Sequence, residues 1–277
     1  MFYCLLIHYS SVPVRTTPAN QPTDQFAEVQ YKRNFLSSVV ARIDFSPILK
    51  ITSDSISNFQ DGIRSLLPQY ETQPMMAIQG QVKIEAGARR EERVQFPFPR
   101  HIFKSADGSY SLALEYDALW LECSLYTTYE AFNEIFIRAY ELLTDNYAPL
   151  NITRLGLRYV NFITPGSGNP LDWAGLIEPT LTQFLDNVVE NKSKLSRALT
   201  QALYVEDDYS IAVTYGFFNS QFPAKIVEKE FLLDFDCHTK VVEPDDVIER
   251  LDNYHSQIQE LFEKCVLPNL KTLMNQT

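Results

Sequence analysis

Glycine is scarce in this chain, with 9 among 277 residues. Neither a GxGxxG run nor a Walker A loop occurs. That removes the two common backbone cradles for nucleotide phosphates. A GxSxG elbow and an HExxH pair are also missing, so the signatures of an α/β-hydrolase nucleophile and of a zinc protease are absent. The four cysteines (Cys4, Cys123, Cys237, Cys265) form no CxxC pair. Their spacing carries no zinc or redox signal, and buried free thiols in a reducing compartment are the expectation. The four histidines (His8, His101, His238, His255) show no metal-ligand spacing. No catalytic residue, metal or cofactor is therefore assigned. No apolar run approaches the ~20 residues of a membrane-spanning helix.

Positive charge is in short supply as well. The net charge is −11 and the pI about 4.9, which disfavours unassisted binding to nucleic acid or an anionic membrane. Lys32-Arg33 and Arg89-Arg90 are isolated pairs and form no stripe. The apolar stretch 2–7 has no positive flank and no obvious cleavage site, so no signal peptide is expected. Residues 10–25 carry Pro13, Pro18 and Pro22 among Thr, Ser, Asn and Gln, and residues 1–25 read as a flexible leader. A cytoplasmic protein is the combined expectation.

What the chain does have is core-forming material. Hydrophobic residues make up 45% and charged residues 21%, enough to bury a globular core. Residues 37–45 alternate, with Val39, Ala41, Ile43 and Phe45 on one side, as in a half-buried strand. Residues 56–67 show helical spacing with Ser55 or Asp54 as cap, and Pro68 ends them. Residues 75–84 read as a strand and the charge-rich 88–94 as an exposed loop. A hairpin is expected around Ala106-Asp107-Gly108, joining 102–104 to 109–116. A strand follows at 119–125. Thr127 and Glu130 match a capping box for a helix ending near Tyr147.

The second half reads similarly. A long strand covers 152–163, and a helix is expected over 171–189, interrupted at Pro179. Strands at 195–204 and 210–218 pair around Glu206-Asp207-Asp208, and another runs over 231–238. An amphipathic helix over 245–274 is bent or ended near Pro268. The predicted class is α+β: two tandem strand–helix–(three or four antiparallel strands)–helix units, residues 26–149 and 150–277, forming one curved antiparallel sheet covered by helices. TATA-binding-protein-like and helix-grip folds share this element order, which by itself implies no DNA binding.

Several polar positions stand out. Arg154, Gly156 and Arg158 share one face of strand 152–163, while Leu155, Leu157 and Tyr159 share the other. Gly156 leaves a gap where a ligand or side chain can reach the backbone. Asp234 and Asp236 share a strand face and can hold a cation, do acid–base work, or pair with arginines. If these faces coincide, arginine and aspartate alternate across one sheet surface. Cys237 and His238 are adjacent on a strand and point to opposite faces, so they form no dyad. His255 lies beside the apolar stripe of the last helix, as a core histidine or a site residue. Arg154, Arg158, Tyr159, Asn161, Asp234, Asp236 and His255 are the candidate ligand- or partner-binding residues.

The run Tyr31-Lys32-Arg33-Asn34-Phe35-Leu36, continuing through Val39 to Leu49, resembles the opening of a sporadically distributed prokaryotic family of unknown function whose members have about this length. Thr153-Arg154-Leu155-Gly156-Leu157-Arg158-Tyr159-Val160-Asn161 looks like its central motif. Leu233-Asp234-Phe235-Asp236, followed by a helix with His255 and Phe262-Glu263, fits its ending. Ser37-Ser38 departs from the apolar–acidic pair expected there. The resemblance implies no activity or catalytic residue; its sporadic distribution would suit a mobile or defence-associated gene cassette. The leading expectation is a non-catalytic binding or accessory protein acting through an unidentified protein partner or self-association. A small-molecule binder or enzyme with a pocket between sheet and helix is the alternative, and nucleic-acid binding the second.

Overall fold

The computed structural model describes residues 29–85, 88–148, 150–183 and 194–275, without the side chains of 77–95. The leader expected at 1–25 lies outside them, as do residues 184–189 of the expected helix over 171–189. The described residues form an α+β fold with nine strands and five α-helices. In chain order these are β1 (Leu36–Phe45), α1 (Lys50–Ser53), α2 (Ser57–Ile63), β2 (Gln69–Glu85), β3 (Ala88–Lys104), β4 (Tyr110–Leu114), β5 (Ala118–Cys123) and α3 (Tyr129–Tyr147). Then follow β6 (Ile152–Ile163), β7 (Ala198–Val205), β8 (Ser210–Phe217), β9 (Phe231–Val242), α4 (Val247–Cys265) and α5 (Pro268–Asn275).

The strands form one open antiparallel sheet in the order β2-β3-β4-β5-β1-β6-β9-β8-β7. β1 and β6 lie side by side at its centre, with Ala41 opposite Leu157. Their alternation works as the sequence requires. Val39, Ala41, Ile43, Leu155 and Leu157 are fully buried on one face, while Arg42, Arg154 and Arg158 lie on the other. The helices cover the apolar face. Phe132, Phe136 and Leu143 of α3 and Leu251, Tyr254 and Ile258 of α4 join the same core cluster as β1, β5, β6 and β9. Burying each such side chain contributes about 1.5–3 kcal/mol.

Three local expectations need correction. Residues 88–94 belong to β3, which pairs with β2 along its whole length but with β4 only from His101 onward. The outer part is a two-stranded arm with no sheet beyond it, so nothing forces its sequence to alternate. Residues 171–176 are turns, followed by a 3-10 turn at Pro179–Leu181. Asn169 Oδ1 and Asp172 Oδ1 accept from the backbone amides of Leu171 and Ala174, and Gly175 has φ +74°, so side chains and glycine close turns here in place of helix. The cap of α3 is Thr128, whose Oγ1 accepts from Ala131 N at 3.2 Å. Glu130 then falls one position too early for a capping box. The amphipathic stretch 245–274 is interrupted near Pro268 as expected: Val266 turns extended and Pro268 begins a second helix.

Candidate functional site

The seven candidate residues separate onto the two faces of the sheet. Arg154, Arg158, Asp234 and Asp236 occupy the face away from the helices. Arg158 Nε and Nη2 meet Asp234 at 2.8 and 2.6 Å, a bidentate pair. Arg154 Nη2 reaches Asp236 only at 3.4 Å, and His238 stands 3.9 Å from the same carboxylate. The gap expected at Gly156 is filled, because the guanidinium of Arg154 folds over it and a Cβ there would lie 2.9 Å from Nη1. The row continues across β1 and β5. Arg42 bonds Asp44 at 2.7 Å, Arg100 bonds Glu115 at 2.5 Å, and both guanidiniums stack on Trp120 at 5.0 and 4.9 Å. Arginine and aspartate do share this surface. The four arginines named each have a carboxylate.

Tyr159, Asn161 and His255 lie on the helix side and are brought together. They line a cavity of about 80 Å³ between β6, the start of α3, α4 and the segment entering β1. By the same measure a single water needs roughly 10–15 Å³, so several waters or a small ligand fit. Tyr159 projects from β6 beside Leu157 on the buried face, only 4% exposed. Its hydroxyl lies 2.8 Å from His255 Nδ1 and 3.1 Å from the Tyr126 hydroxyl. His255 stacks flat on Tyr129, with ring centroids 3.9 Å apart and planes 2° from parallel. Tyr129 donates its hydroxyl to Asp252 at 2.8 Å. Asn161 Nδ2 donates to the Leu233 carbonyl at 3.3 Å.

The segment before β1 forms the remaining wall. Tyr31 donates to Glu263 Oε1 at 2.6 Å, Arg33 N to the Met274 carbonyl at 2.9 Å, and Asn34 Nδ2 to the Tyr126 carbonyl at 2.8 Å. Burial sets the protonation states. It lowers His255 to about 4 against a weaker opposing pull from Glu130. It raises Tyr159 and Tyr126, and it raises Tyr129 and Tyr31 further through their carboxylate acceptors. At neutral pH the chain Tyr126–Tyr159–His255 is therefore uncharged. Its bonds can run toward His255 Nδ1 or away from it, leaving Nε2 as donor or acceptor. Nε2 has no bond to any described residue.

Tyr31, Tyr126, Tyr129, Glu130 and Asn34 were missed from the sequence. Tyr126 and Tyr129 flank the Thr127-Thr128 entry to α3, and an aromatic residue beside a polar cap, off the apolar stripe, is the one signal that could have flagged them. The rejected dyad stays apart: Cys237 is buried on the helix side and His238 lies on the other. Among the described residues no group of three or more His, Cys, Asp or Glu side chains could hold a metal ion. No helix there is long and apolar enough to cross a membrane. No family profile matches the chain, and no curated protein matches it.

Proposed function

We propose that this chain is a non-catalytic binding protein whose recognition site is the tyrosine–histidine cavity between β6 and α4. The observation that carries this reading is the convergence of Tyr159, Tyr126 and His255, all lining one cavity, in one hydrogen-bonded chain that ends at His255, whose Nε2 has no bond to any described residue. A core needs no such chain, because three buried polar groups cost more to satisfy than apolar side chains of the same volume. A site that must hold a small polar ligand does need it. Thermal-shift screening of the full chain against a metabolite set tests the reading. Ligands should raise the melting temperature, and His255→Ala or Tyr159→Phe should remove the shift. Shifts that persist unchanged in both variants would rule the cavity out.

A macromolecular partner is the second reading, supported by β7. This edge strand pairs only with β8 among the described residues. It carries no charge, and Leu203, Tyr204 and Val205 are exposed. An uncharged apolar edge is a template for strand addition by another chain. Leu203→Lys should then abolish co-purification of the partner, or lower the molar mass in light scattering if the partner is a second copy. An unchanged complex would remove the idea. Nucleic-acid binding draws no support from the open face, whose four arginines named above are taken by carboxylates.

The element order also supports duplication. From the centre outward the first half runs β1-β5-β4-β3-β2 and the second β6-β9-β8-β7, one strand fewer among the described residues, each followed by a 19-residue helix. Among the described residues no α-helix stands between β6 and β7, only the 3-10 turn at Pro179–Leu181, where the first half has α1 and α2. Superposition of the halves with α3 failing to fall on α4 would sink this reading. Membership of the sporadic prokaryotic family, and with it a place in a mobile or defence-associated cassette, rests on the quoted motifs; genomic neighbourhoods of such genes test it.

A further inference from the structure

The chemistry of the cavity wall narrows the ligand class. Among the described residues its lining holds no lysine or arginine, and its only charged side chain is Glu130. Five aromatic rings line it: Tyr31, Tyr126, Tyr129, Tyr159 and Phe262. Two of these tyrosines donate their hydroxyls to carboxylates, Tyr31 to Glu263 at 2.6 Å and Tyr129 to Asp252 at 2.8 Å. A phenol donating to a carboxylate becomes more electron-rich, which strengthens the negative face of its ring. Asp252 takes bonds from Tyr129 and Asn133 and has no cationic partner among the described residues, whereas Glu263 is ion-paired with Lys271 at 2.6 Å. The field is therefore negative on the side of the cavity formed by Tyr129, with Asp252 behind it and Glu130 beside it. His255, neutral at physiological pH, adds no opposing charge. A wider open groove of about 750 Å³ shares Tyr129 and Glu130 with the cavity and adds Glu134 and Glu141. Arg138, its one cation among the described residues, is held by Glu141 at 3.2 Å.

We infer that the cavity binds a small organic cation of the alkylammonium class, seated against the tyrosine rings with Glu130 at the rim. This rests on the reading of the cavity as the recognition site and names what it takes. An anionic ligand would meet no counter-charge there. A neutral one would gain nothing from the two carboxylate-bonded tyrosines. An alkylammonium needs no hydrogen-bond acceptor at its charge, so aromatic faces and a distant carboxylate satisfy it.

The test is calorimetric titration of the full-length chain with choline and, separately, with 3,3-dimethyl-1-butanol, its uncharged isostere. Choline should bind at least about tenfold more tightly, the ratio expected for a desolvated cation–π site. Glu130→Gln should weaken choline severalfold and leave the isostere unchanged. Affinity for choline should fall in the order Tyr31, Tyr31→Phe, Tyr31→Leu, with the melting temperature of each variant recorded to show that it is folded. Equal binding of both compounds, each lost in His255→Ala, would overturn the cation inference while the cavity stands as a binding site. Choline binding that ignores the Glu130 and Tyr31 changes would overturn it too. So would the absence of any choline binding to the folded chain.

Discussion

The Tyr159 hydroxyl lies 2.8 Å from His255 Nδ1, joining the central strand β6 to helix α4 across the buried face of the sheet. The same hydroxyl meets Tyr126 at 3.1 Å, so one oxygen ties both halves of the molecule together. Tyr159→Phe keeps the ring and removes that oxygen. His255 Nδ1 and the Tyr126 hydroxyl each lose a buried partner. The expected loss of stability is about 1–2 kcal/mol, read from urea unfolding. An unchanged midpoint would mean that water already serves these groups.

His255 also makes stability depend on pH. Its folded-state value is lowered to about 4 by burial, against roughly 6.5 in the unfolded chain. The unfolded state therefore binds more protons between those limits. Stability is complete above about pH 6.5 and falls as pH drops toward 4, by on the order of 3 kcal/mol at most. The groups facing the ring are Tyr159, Tyr129 and, more distantly, the Glu130 carboxylate, which opposes the shift. His101 is lowered by burial in the same direction, so the difference between wild type and His255→Phe is the quantity to measure. Parallel stability curves from pH 7 to 4.5 would contradict the assignment.

The two arginines on the open face of β6 should behave differently. Arg158 makes a bidentate pair with Asp234, whose side chain is only 11% exposed. Burial of Asp234 makes an unpaired carboxylate there costly. Arg158→Met should lower stability by about 1–2 kcal/mol, and a double-mutant cycle with Asp234→Asn should recover much of it. Arg154 reaches Asp236 only at 3.4 Å, and that carboxylate is 32% exposed, so Arg154→Met should change stability by less than about 0.5 kcal/mol. Equal costs for the two would refute the geometric distinction.

Legibility followed packing. β1, β6 and β9 could be read because each sets a buried face against an open one, as Val39-Ala41-Ile43 and Leu155-Leu157 do. α3 and α4 could be read because their apolar stripes meet that sheet. Residues 88–94 of β3 could not, since that outer part pairs with β2 alone and has no further neighbour to impose a pattern. The turns around Gly175 hid behind leucines that belong to the core without being helical. Of the cavity, Tyr159, Asn161 and His255 were visible as polar groups on or beside buried stripes. Their partners come from elements far apart in sequence, and a single sequence carries no signal that Tyr126 meets Tyr159 or that Tyr31 meets Glu263.

The glycines give the sharpest contrast between what the sequence emphasises and what the fold requires. Gly156 sits in the central motif between two arginines, yet the nearest obstacle to a Cβ there is the tip of the Arg154 side chain, at 2.9 Å. A guanidinium held to Asp236 at 3.4 Å can swing aside, so Gly156→Ala should cost less than about 1 kcal/mol. Gly216 draws no attention in the sequence. Its φ is +140°, and a Cβ would lie 2.2 Å from the Ala198 carbonyl oxygen and 3.1 Å from the Leu199 Cα. Both obstacles are backbone of β7, paired there through Leu199 and Gly216. An alanine must either leave its preferred backbone region or push the edge strand away, and Gly216→Ala should cost more than about 2 kcal/mol. Hydrogen exchange of β7 amides should accelerate in that variant while β1 and β6 stay protected. A milder effect at Gly216 than at Gly156 would mean that β7 yields easily, and that the Arg154 guanidinium is pinned over Gly156 more tightly than its long contact to Asp236 implies.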